Sequence, residues 1–272
     1  MFNTPVFQLG DISVKLEYKN PAGSIKDRPA LFMCKEAFLK GYREIVEVTS
    51  GNTGIALAFY AQKFNLKATI FMPKSYSIER QKLLKAYGAN LILTDGTIAD
   101  AIKEAQDYVQ KKNAYFAKQF ENPINSSSQE ITGLEILNQI KGIKNFVCAV
   151  GSGGSISGIG KVLKPLGVKI IAVESKNSPV IYNKIYKKNL PVKPHKIQGI
   201  GAGFIPKTLN LNLIDDVILI DDEEAIEFMK QLPKKGITGG ISTAANILAS
   251  QQLKGKTVTL APDGIERYLS IF

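Results

Sequence analysis

The chain has 272 residues, of which 44% are hydrophobic and 22% are charged, and its formal net charge is +11. This is the composition of an ordinary globular protein with one or two domains. The apolar runs are too short to span a bilayer, and the start, MFNTPVFQLGD, lacks the pattern of a secretory signal, so we expect a cytoplasmic protein that does not bind membranes.

The chain is poor in cysteine and histidine, which limits the chemistry it can carry. Two cysteines do not make a disulfide framework, and one histidine leaves no cluster of metal ligands. We expect Cys34 and Cys148 to be buried packing residues, and His195, in the loop KPHKIQG, to form a structural hydrogen bond. The lysines are scattered without interleaved aromatic residues, so we expect a solvated basic surface and no nucleic-acid partner.

The first distinctive stretch in chain order is NPAGSIKDR, residues 20–28. Its proline and glycine mark a turn, and Ser24 and Asp27 have the S-x-x-D spacing of a helix-capping pair. Pro29 is best tolerated near the start of a helix. The stretch therefore predicts a helix that opens between Ser24 and Pro29 and runs to Phe38.

Lys26 lies at the predicted start of this helix, where the helix dipole disfavours an ammonium group. Such a position suits a lysine that must be a neutral amine for part of a reaction cycle, as an imine-forming lysine must. A solvated lysine without a function is the alternative, and this motif by itself does not decide between the two.

Along the rest of the chain, apolar strand-like runs alternate with helical patterns. The strand-like runs are EIVEVT, KATIFMP, NLILT, NFVCAV, VKIIAVES, DDVILID and TVTLAP. The helical patterns between them include GIALAFYAQKF, TIADAIKEAQDYVQKK, EEAIEFMKQL and STAANILASQQL. This alternation predicts parallel sheets covered by helices, with ligands bound in the loops that follow the strands.

Two of these loops are rich in glycine and hydroxyl groups. TSGNTG, residues 49–54, combines backbone amides at a helix start with side-chain donors, which suits a carboxylate. VGSGGSISG, residues 150–158, offers amides and hydroxyls for a phosphate. A tight strand-to-helix turn is the alternative for each loop, and the second loop fits neither the dinucleotide fingerprint nor the P-loop.

An imine-forming lysine, a carboxylate-binding loop and a phosphate-binding loop together predict pyridoxal 5'-phosphate acting on an amino acid. The chain resembles the cysteine synthase (O-acetylserine sulfhydrylase) and cystathionine β-synthase family of fold type II pyridoxal phosphate enzymes. The resemblance rests on eight motifs in the family's order: NPAGSIKDR, EVTSGNTGIALA, MPKSYSIERQKLLKAYGANLILT, QFENPIN, GSGGSISGIGK, HKIQGIGAGFIP, GGISTAA and PDGIERYLS.

The resemblance implies a role for each matching residue. Lys26 would carry the cofactor as an imine and move the α-proton of the substrate. Asn52 would bind the ring oxygen of the cofactor, and Ser242 would face its pyridine nitrogen. The phosphate would be held by Gly151, Ser152, Gly153, Gly154 and Ser155, and the substrate carboxylate by Thr49, Ser50, Gly51, Thr53 and Gln119.

The hydroxyl of Ser242 bears on the type of reaction. A carboxylate partner keeps the pyridine nitrogen protonated and favours transamination, whereas a hydroxyl favours prompt loss of a β-leaving group and an aminoacrylate. The resemblance thus implies β-replacement, in which O-acetyl-L-serine and sulfide give L-cysteine and acetate. Asp263 would change this expectation if it met the nitrogen instead. Ser242 could also cap the helix that follows it.

Several alternatives stay open on the same scaffold. Relatives that use O-phosphoserine place an arginine near residues 198–206, and this chain has none there. Tyr76 and Thr243 depart from the usual family residues and could alter the choice of acceptor. A cysteine lyase that releases hydrogen sulfide, or a cystathionine β-synthase-like enzyme, is the main alternative. A non-enzymatic binding module or a basic nucleic-acid protein is the alternative from another class.

The resemblance also implies an architecture of two three-layer α/β domains with largely parallel sheets, similar to the tryptophan synthase β chain. A smaller, mobile domain would span residues 20–125 and carry Lys26 and the carboxylate loop. A larger domain, residues 1–19 and 126–272, would carry the phosphate loop and the pyridine nitrogen partner. Carboxylate binding would close the smaller domain, and the protein would form a homodimer.

Overall fold

The computed structural model describes residues 2–49, 51–74 and 78–272. Its strands are β1 (Val6–Leu9), β2 (Ile12–Leu16), β3 (Glu44–Val48), β4 (Lys67–Pro73), β5 (Asn90–Thr94), β6 (Tyr115–Phe116), β7 (Asn145–Ala149), β8 (Lys169–Ser175), β9 (Asp216–Ile220) and β10 (Thr257–Ala261). Its helices are α1 (Asp27–Leu39), α2 (Asn52–Lys63), α3 (Ile78–Ala86), α4 (Ile98–Lys112), α5 (Ile124–Ser127), α6 (Glu130–Gln139), α7 (Gly154–Leu163), α8 (Val180–Tyr186), α9 (Asp222–Gln231) and α10 (Ile241–Gln251). The strands and helices predicted from the apolar runs are confirmed, and no helix in these three ranges is long and apolar enough to cross a membrane.

Two sheets organise the described part of the chain. The large sheet has the strand order β1-β2-β10-β7-β8-β9; β1 pairs antiparallel with β2, and the other pairs are parallel. The small sheet has the order β5-β4-β3-β6 and is parallel throughout. The expectation of an α/β fold with largely parallel sheets is confirmed, whereas the proposed division of the chain at residues 20 and 125 stays a prediction.

Each sheet is covered by helices on both faces, as three layers require. In the small sheet, Ile45 and Ile70 pack in the core beneath α1 and α2, whereas Val46 and Phe71 point to the opposite face and pack beneath α4. The large sheet is covered in the same way by α9 and α10 on one face and by α6 and α7 on the other. Neighbouring residues of a strand face opposite sides, so near-continuous apolar runs are needed to fill both cores.

Both cysteines lie in these cores, as predicted. Cys34, in α1, and Cys148, in β7, are buried and form no disulfide within the described structure. Burial raises the pKa of each thiol to about 12, so both stay protonated at neutral pH. They therefore act as small apolar side chains.

The start of α1 is joined to the large sheet at the carboxyl end of β10. The backbone amide of Ile25 donates to the carbonyl of Pro262 (2.8 Å), and Ser24 forms an antiparallel bridge with Asp263. Because β10 lies beside β7, this attachment places Lys26 next to the loop that follows β7. Lys26 and Gly151, the first glycine of the loop, are 125 positions apart in the sequence. They thus lie together at one edge of the large sheet.

A buried ionic network fixes the same end of α1. The Arg28 guanidinium, whose side chain is fully buried, donates to both carboxylate oxygens of Glu17 (2.7 and 2.7 Å) and of Glu135 (2.8 and 2.8 Å). The ammonium of Lys15 forms a further ion pair with Glu135 (2.8 Å). Burial opposes ionisation of Glu135, but hydrogen bonds from Arg28 and Lys15 lower its pKa to about 2. The network ties α1 to the end of β2 and to α6.

We expect the Glu135→Ala variant to lose about 3–5 kcal/mol of unfolding free energy, because Lys15 loses its ion pair and Arg28 loses one of two carboxylates. Urea denaturation followed by circular dichroism measures the loss. The difference from wild type should shrink as pH falls from 4.5 toward about 2, since the pKa of the wild-type carboxyl is lowered on folding and its stabilisation disappears on protonation.

The matched control is Glu130→Ala, on the same helix. Glu130 forms a partly exposed pair with Lys161 (2.7 Å), so its removal should cost less than about 1 kcal/mol. Equal losses from the two variants would contradict the idea that the buried network anchors α1.

Candidate active site

Lys26 immediately precedes α1, as the sequence predicts. The amide of Lys26 donates to Ser24 Oγ (3.2 Å), and the Asp27 carboxylate accepts from the amides of Ala22 (2.6 Å) and Ser24 (3.2 Å). The prediction that Ser24 and Asp27 cap the helix is wrong: Lys26 occupies the N-cap position without a side-chain cap, and the pair orders the preceding turn instead. Burial lowers the pKa of the Lys26 amine below its usual range. The side chain is therefore more readily neutral than that of an exposed lysine.

Two adjoining cavities, of about 40 and 500 Å³, open beside Lys26. The larger has a volume typical of small-molecule sites. The smaller is lined by Lys26, Asn52, Ser242, Asp263, Ser155 and residues 151–153, among others. Both cavities share Lys26, Asn52, Gly151, Ser152, Gly199 and Ile200. The structure thus gathers the predicted lysine, phosphate loop and pyridine partner around one space.

The predicted phosphate loop ends in the amino-terminal turn of α7, whose first amides have no partner within the helix. Gly153 has φ +82°, a conformation that favours glycine. A Cβ at Gly151 would collide with the Gly199 carbonyl oxygen, and one at Gly154 would collide with the Asn125 side chain. The glycines are therefore required for tight packing, and the loop also lines the smaller cavity; phosphate binding by residues 151–155 stays a prediction.

The predicted carboxylate loop lines the larger cavity with Thr49, Gly51, Thr53 and Gln119. Gly51 precedes α2, and its amide donates to Thr49 Oγ1 (3.1 Å). The Thr53 hydroxyl donates to Gln119 Oε1 (2.7 Å), which leaves the Gln119 NH₂ group to act as a donor. Ser50, predicted for the same role, lies outside the described residues, as does Tyr76.

Glu47, in β3, is a contributor that the sequence reasoning missed. It is 3% exposed, and its carboxylate accepts from the backbone amide of Gln119 (2.9 Å). Burial raises the pKa of Glu47 to about 7. The residue stands in the quoted motif EVTSGNTG, but only its contact with a segment 72 positions away reveals that it holds Gln119 in place.

Asn52 has partners at both ends of its amide, and both come from the motif PDGIERYLS. Its Nδ2 donates to Asp263 Oδ2 (2.8 Å), and its Oδ1 accepts from Arg267 Nη1. Tyr268 also donates to Asp263 Oδ2 (2.7 Å). The sequence does not predict Arg267 as a site residue, because it does not show which loop the side chain contacts.

Ser242 is 5% exposed and lines the smaller cavity. The idea that it caps the following helix is wrong: α10 begins at Ile241, and Gly240 occupies the N-cap position without a side-chain cap. The amide of Gly240 donates to the Asp263 carbonyl (3.0 Å), which sets the helix start one residue before Ser242. Thr243 is fully buried and is absent from the described lining of both cavities.

His195 also lies at the rim of the larger cavity. Its Nε2 contacts the Gly201 carbonyl at 3.0 Å, which confirms the predicted structural hydrogen bond. Within residues 2–49, 51–74 and 78–272, no group of histidine, cysteine, aspartate and glutamate side chains could hold a metal ion.

Comparisons with known proteins agree with this arrangement. The model of the family "Pyridoxal-phosphate dependent enzyme" matches residues 1–263. The cysteine synthase of Staphylococcus aureus is 44% identical, over 98% of this chain and 93% of that protein. Cysteine synthase A of Escherichia coli is 41% identical, over 98% of this chain and 91% of that protein.

A solved structure shows the same fold. It is a hydrogen sulfide-producing enzyme from Fusobacterium nucleatum, with TM-score 0.91 and 35% identity, covering 99% of this chain and 88% of that chain. Likeness at this level, over nearly the whole length, shows shared family as well as shared fold. The chain belongs to the pyridoxal-phosphate dependent enzyme family, in its fold type II cysteine synthase group.

Proposed function

We propose that this protein converts O-acetyl-L-serine and sulfide to L-cysteine and acetate with bound pyridoxal 5'-phosphate. One observation supports the proposal: a lysine with a lowered pKa, an amide-rich helix start and a loop of residues suited to a carboxylate surround the same pair of cavities. The relatives named cysteine synthase support this choice of reaction.

The residues of the cavities fit this cofactor. Lys26 supplies an amine, and the amides and hydroxyls of residues 151–155 at the start of α7 suit a phosphate. Asn52 would bind the ring oxygen, and Ser242 would meet the pyridine nitrogen. When bound, the cofactor supplies an electron sink for the α-carbon of the substrate.

The chain itself would hold the substrate and move its proton. The NH₂ group of Gln119 and the hydroxyls of Thr49 and Ser50 would bind the substrate carboxylate. The amide of Gly51 would join them by exchanging its bond to Thr49 Oγ1 for the carboxylate, and Thr53 would contribute by holding Gln119 through its oxygen. Lys26 would take the α-proton, because burial lowers the pKa of its amine and makes the neutral form more accessible. Ser242 would leave the pyridine nitrogen uncharged, which favours loss of acetate over transamination.

Closure of a smaller domain, residues 20–125, onto residues 1–19 and 126–272 would exclude water during the reaction. The cavity rim supports this proposal. Three apolar side chains that line the larger cavity are partly exposed: Ile98 (41%) and Ile102 (37%) in the smaller domain, and Phe204 (51%) in the larger domain. Bringing these apolar side chains together would bury them and dry the site.

A cytoplasmic location and a homodimer complete the proposal. Two buried cysteines that form no disulfide in the described structure fit a reducing compartment. The dimer rests on the family resemblance.

Replacing Lys26 with alanine should abolish the visible absorption band of the lysine-bound cofactor. Turnover should fall by about 10²–10⁴-fold, because no other amine of the described cavity lining can take the proton. Absorption spectra of the purified proteins and a cysteine assay measure both effects. Lys19→Ala, an exposed lysine nearby, is the control, and a band that persists in Lys26→Ala would refute the assignment.

A substrate panel tests the reaction. O-acetylserine, O-phosphoserine, serine and cysteine are each supplied with sulfide or homocysteine, and products are quantified by chromatography. We expect the highest kcat/KM for O-acetylserine with sulfide, with equal amounts of cysteine and acetate. If cysteine releases sulfide faster than O-acetylserine forms cysteine, the proposed reaction is wrong and the cysteine lyase alternative takes its place. The Fusobacterium neighbour is described as a hydrogen sulfide-producing enzyme.

Light scattering tests the homodimer. A mass of twice 29.7 kDa is expected at micromolar concentration, and a monomer mass would reject the proposal.

A further inference from the structure

The segment from Pro262 to Tyr268 contacts both loops that carry predicted cofactor ligands. Besides the bridge between Ser24 and Asp263, Arg267 Nη2 donates to the Ala22 carbonyl (2.6 Å) in the turn before Lys26. The same guanidinium donates through Nη1 to Asn52 Oδ1 at the start of α2. One side chain thus bridges the lysine loop and the carboxylate loop.

The surroundings of Arg267 show that the chain makes room for this bridge. The Arg267 side chain is only 7% exposed. Gly23 has φ +79°, and a Cβ there would lie 2.7 Å from Arg267 Nη2. Glycine at position 23 therefore meets two demands at once, a left-handed turn and close approach of a guanidinium.

Asp263 completes the contacts of Asn52. It is 3% exposed, and its Oδ2 accepts from Asn52 Nδ2 and from Tyr268. Its Oδ1 is buried and has no hydrogen-bond partner among the described residues. The carboxylate is thus held in place by its contacts to Asn52 and Tyr268.

These partners allow Asn52 one orientation. A guanidinium only donates, so it must meet the amide oxygen, and an ionised carboxylate only accepts, so it must meet the NH₂ group. A flipped amide would place the NH₂ group against Arg267 and the oxygen against Asp263, with both contacts repulsive. One hydrogen of Nδ2 is bound to Asp263, and the second remains for a ligand in the adjoining cavity.

We infer that Asp263 and Arg267 are positioning residues that lock the Asn52 amide so that its NH₂ group faces the ring oxygen of the cofactor. This inference rests on the proposed function, in which Asn52 binds that oxygen. In this inference the Asp263 carboxylate acts as the hydrogen-bond acceptor for Asn52 and Tyr268. The distance between Lys26 and Asn52 is set by the same segment, because Arg267 holds the turn before one and the side chain of the other.

A double-mutant cycle with Asn52→Ala tests the inference. Arg267→Met and Asn52→Ala are each expected to weaken cofactor binding to the apoenzyme by roughly 5–10-fold, the loss of about one hydrogen bond. Both should shift the pH midpoint of the visible cofactor band in the same direction. In the Asn52→Ala background, Arg267→Met should produce a much smaller shift, because the effect that passes through Asn52 is gone and only the bond to the Ala22 carbonyl is lost. Equilibrium dialysis and pH-dependent spectra provide the readouts.

Three further variants complete the design. Asp263→Ala should behave like Arg267→Met, and Asp263→Asn should restore the wild-type spectrum, because its carbonyl oxygen can accept from Asn52 Nδ2. This pair gives the same test if Arg267→Met does not fold, which melting temperatures will show. Arg43→Met, at an exposed arginine, controls for loss of positive charge.

Two results would overturn the inference while the proposed reaction stands. One is an Arg267→Met shift that is equally large with and without Asn52, which would mark a general structural role. The other is a wild-type spectrum in both Arg267→Met and Asp263→Ala while Asn52→Ala is shifted. A wild-type spectrum in Asn52→Ala itself would instead reject the proposed contact between Asn52 and the cofactor.

Discussion

The buried guanidinium of Arg28 is the interaction on which the placement of the site depends. A guanidinium removed from water is tolerated only when carboxylates satisfy it, and Glu17, in the turn after β2, and Glu135, in α6, do so. Together with the bond between Ile25 and Pro262, these ion pairs hold the start of α1 against the large sheet. Lys26 lies two residues before Arg28, so the contacts of Arg28 help to place the reactive amine.

Many of the polar groups around the cavities are arranged as hydrogen-bond donors. Arg267 occupies the oxygen of Asn52, and Thr53 occupies the oxygen of Gln119. In each amide the remaining NH₂ group is a donor, and the helix starts of α2 and α7 add further donors. The site therefore favours anions, which matches a cofactor with a phosphate and a substrate with a carboxylate, and the net charge of +11 adds a weaker attraction at longer range.

Several glycines both allow close packing and shape the candidate site. The glycines of residues 151–154 allow close contact with the 199–209 loop and with Asn125, in a loop that also lines the smaller cavity. Gly23 gives a turn before Lys26 and space for Arg267. A substitution at any of these glycines would disturb the neighbouring backbone as well as the ligand, so a structural and a catalytic effect could not be separated there.

The sequence by itself determined what depends on near neighbours in the chain. The start of α1, the glycine-rich turns and the alternation of strands and helices follow from turn residues, the position of Pro29 and apolar periodicity, and the eight motifs point to the family. Tertiary structure alone decided the contacts of Asn52 with Asp263 and Arg267, which join positions 211 and 215 residues apart, and the role of Glu47 beneath Gln119. It also moved the N-cap of α10 from Ser242 to Gly240, because the Asp263 carbonyl accepts the Gly240 amide. Local patterns carry no record of which strand ends become neighbours, and the order of strands in the large sheet, with β10 between β2 and β7, is what brings these groups together.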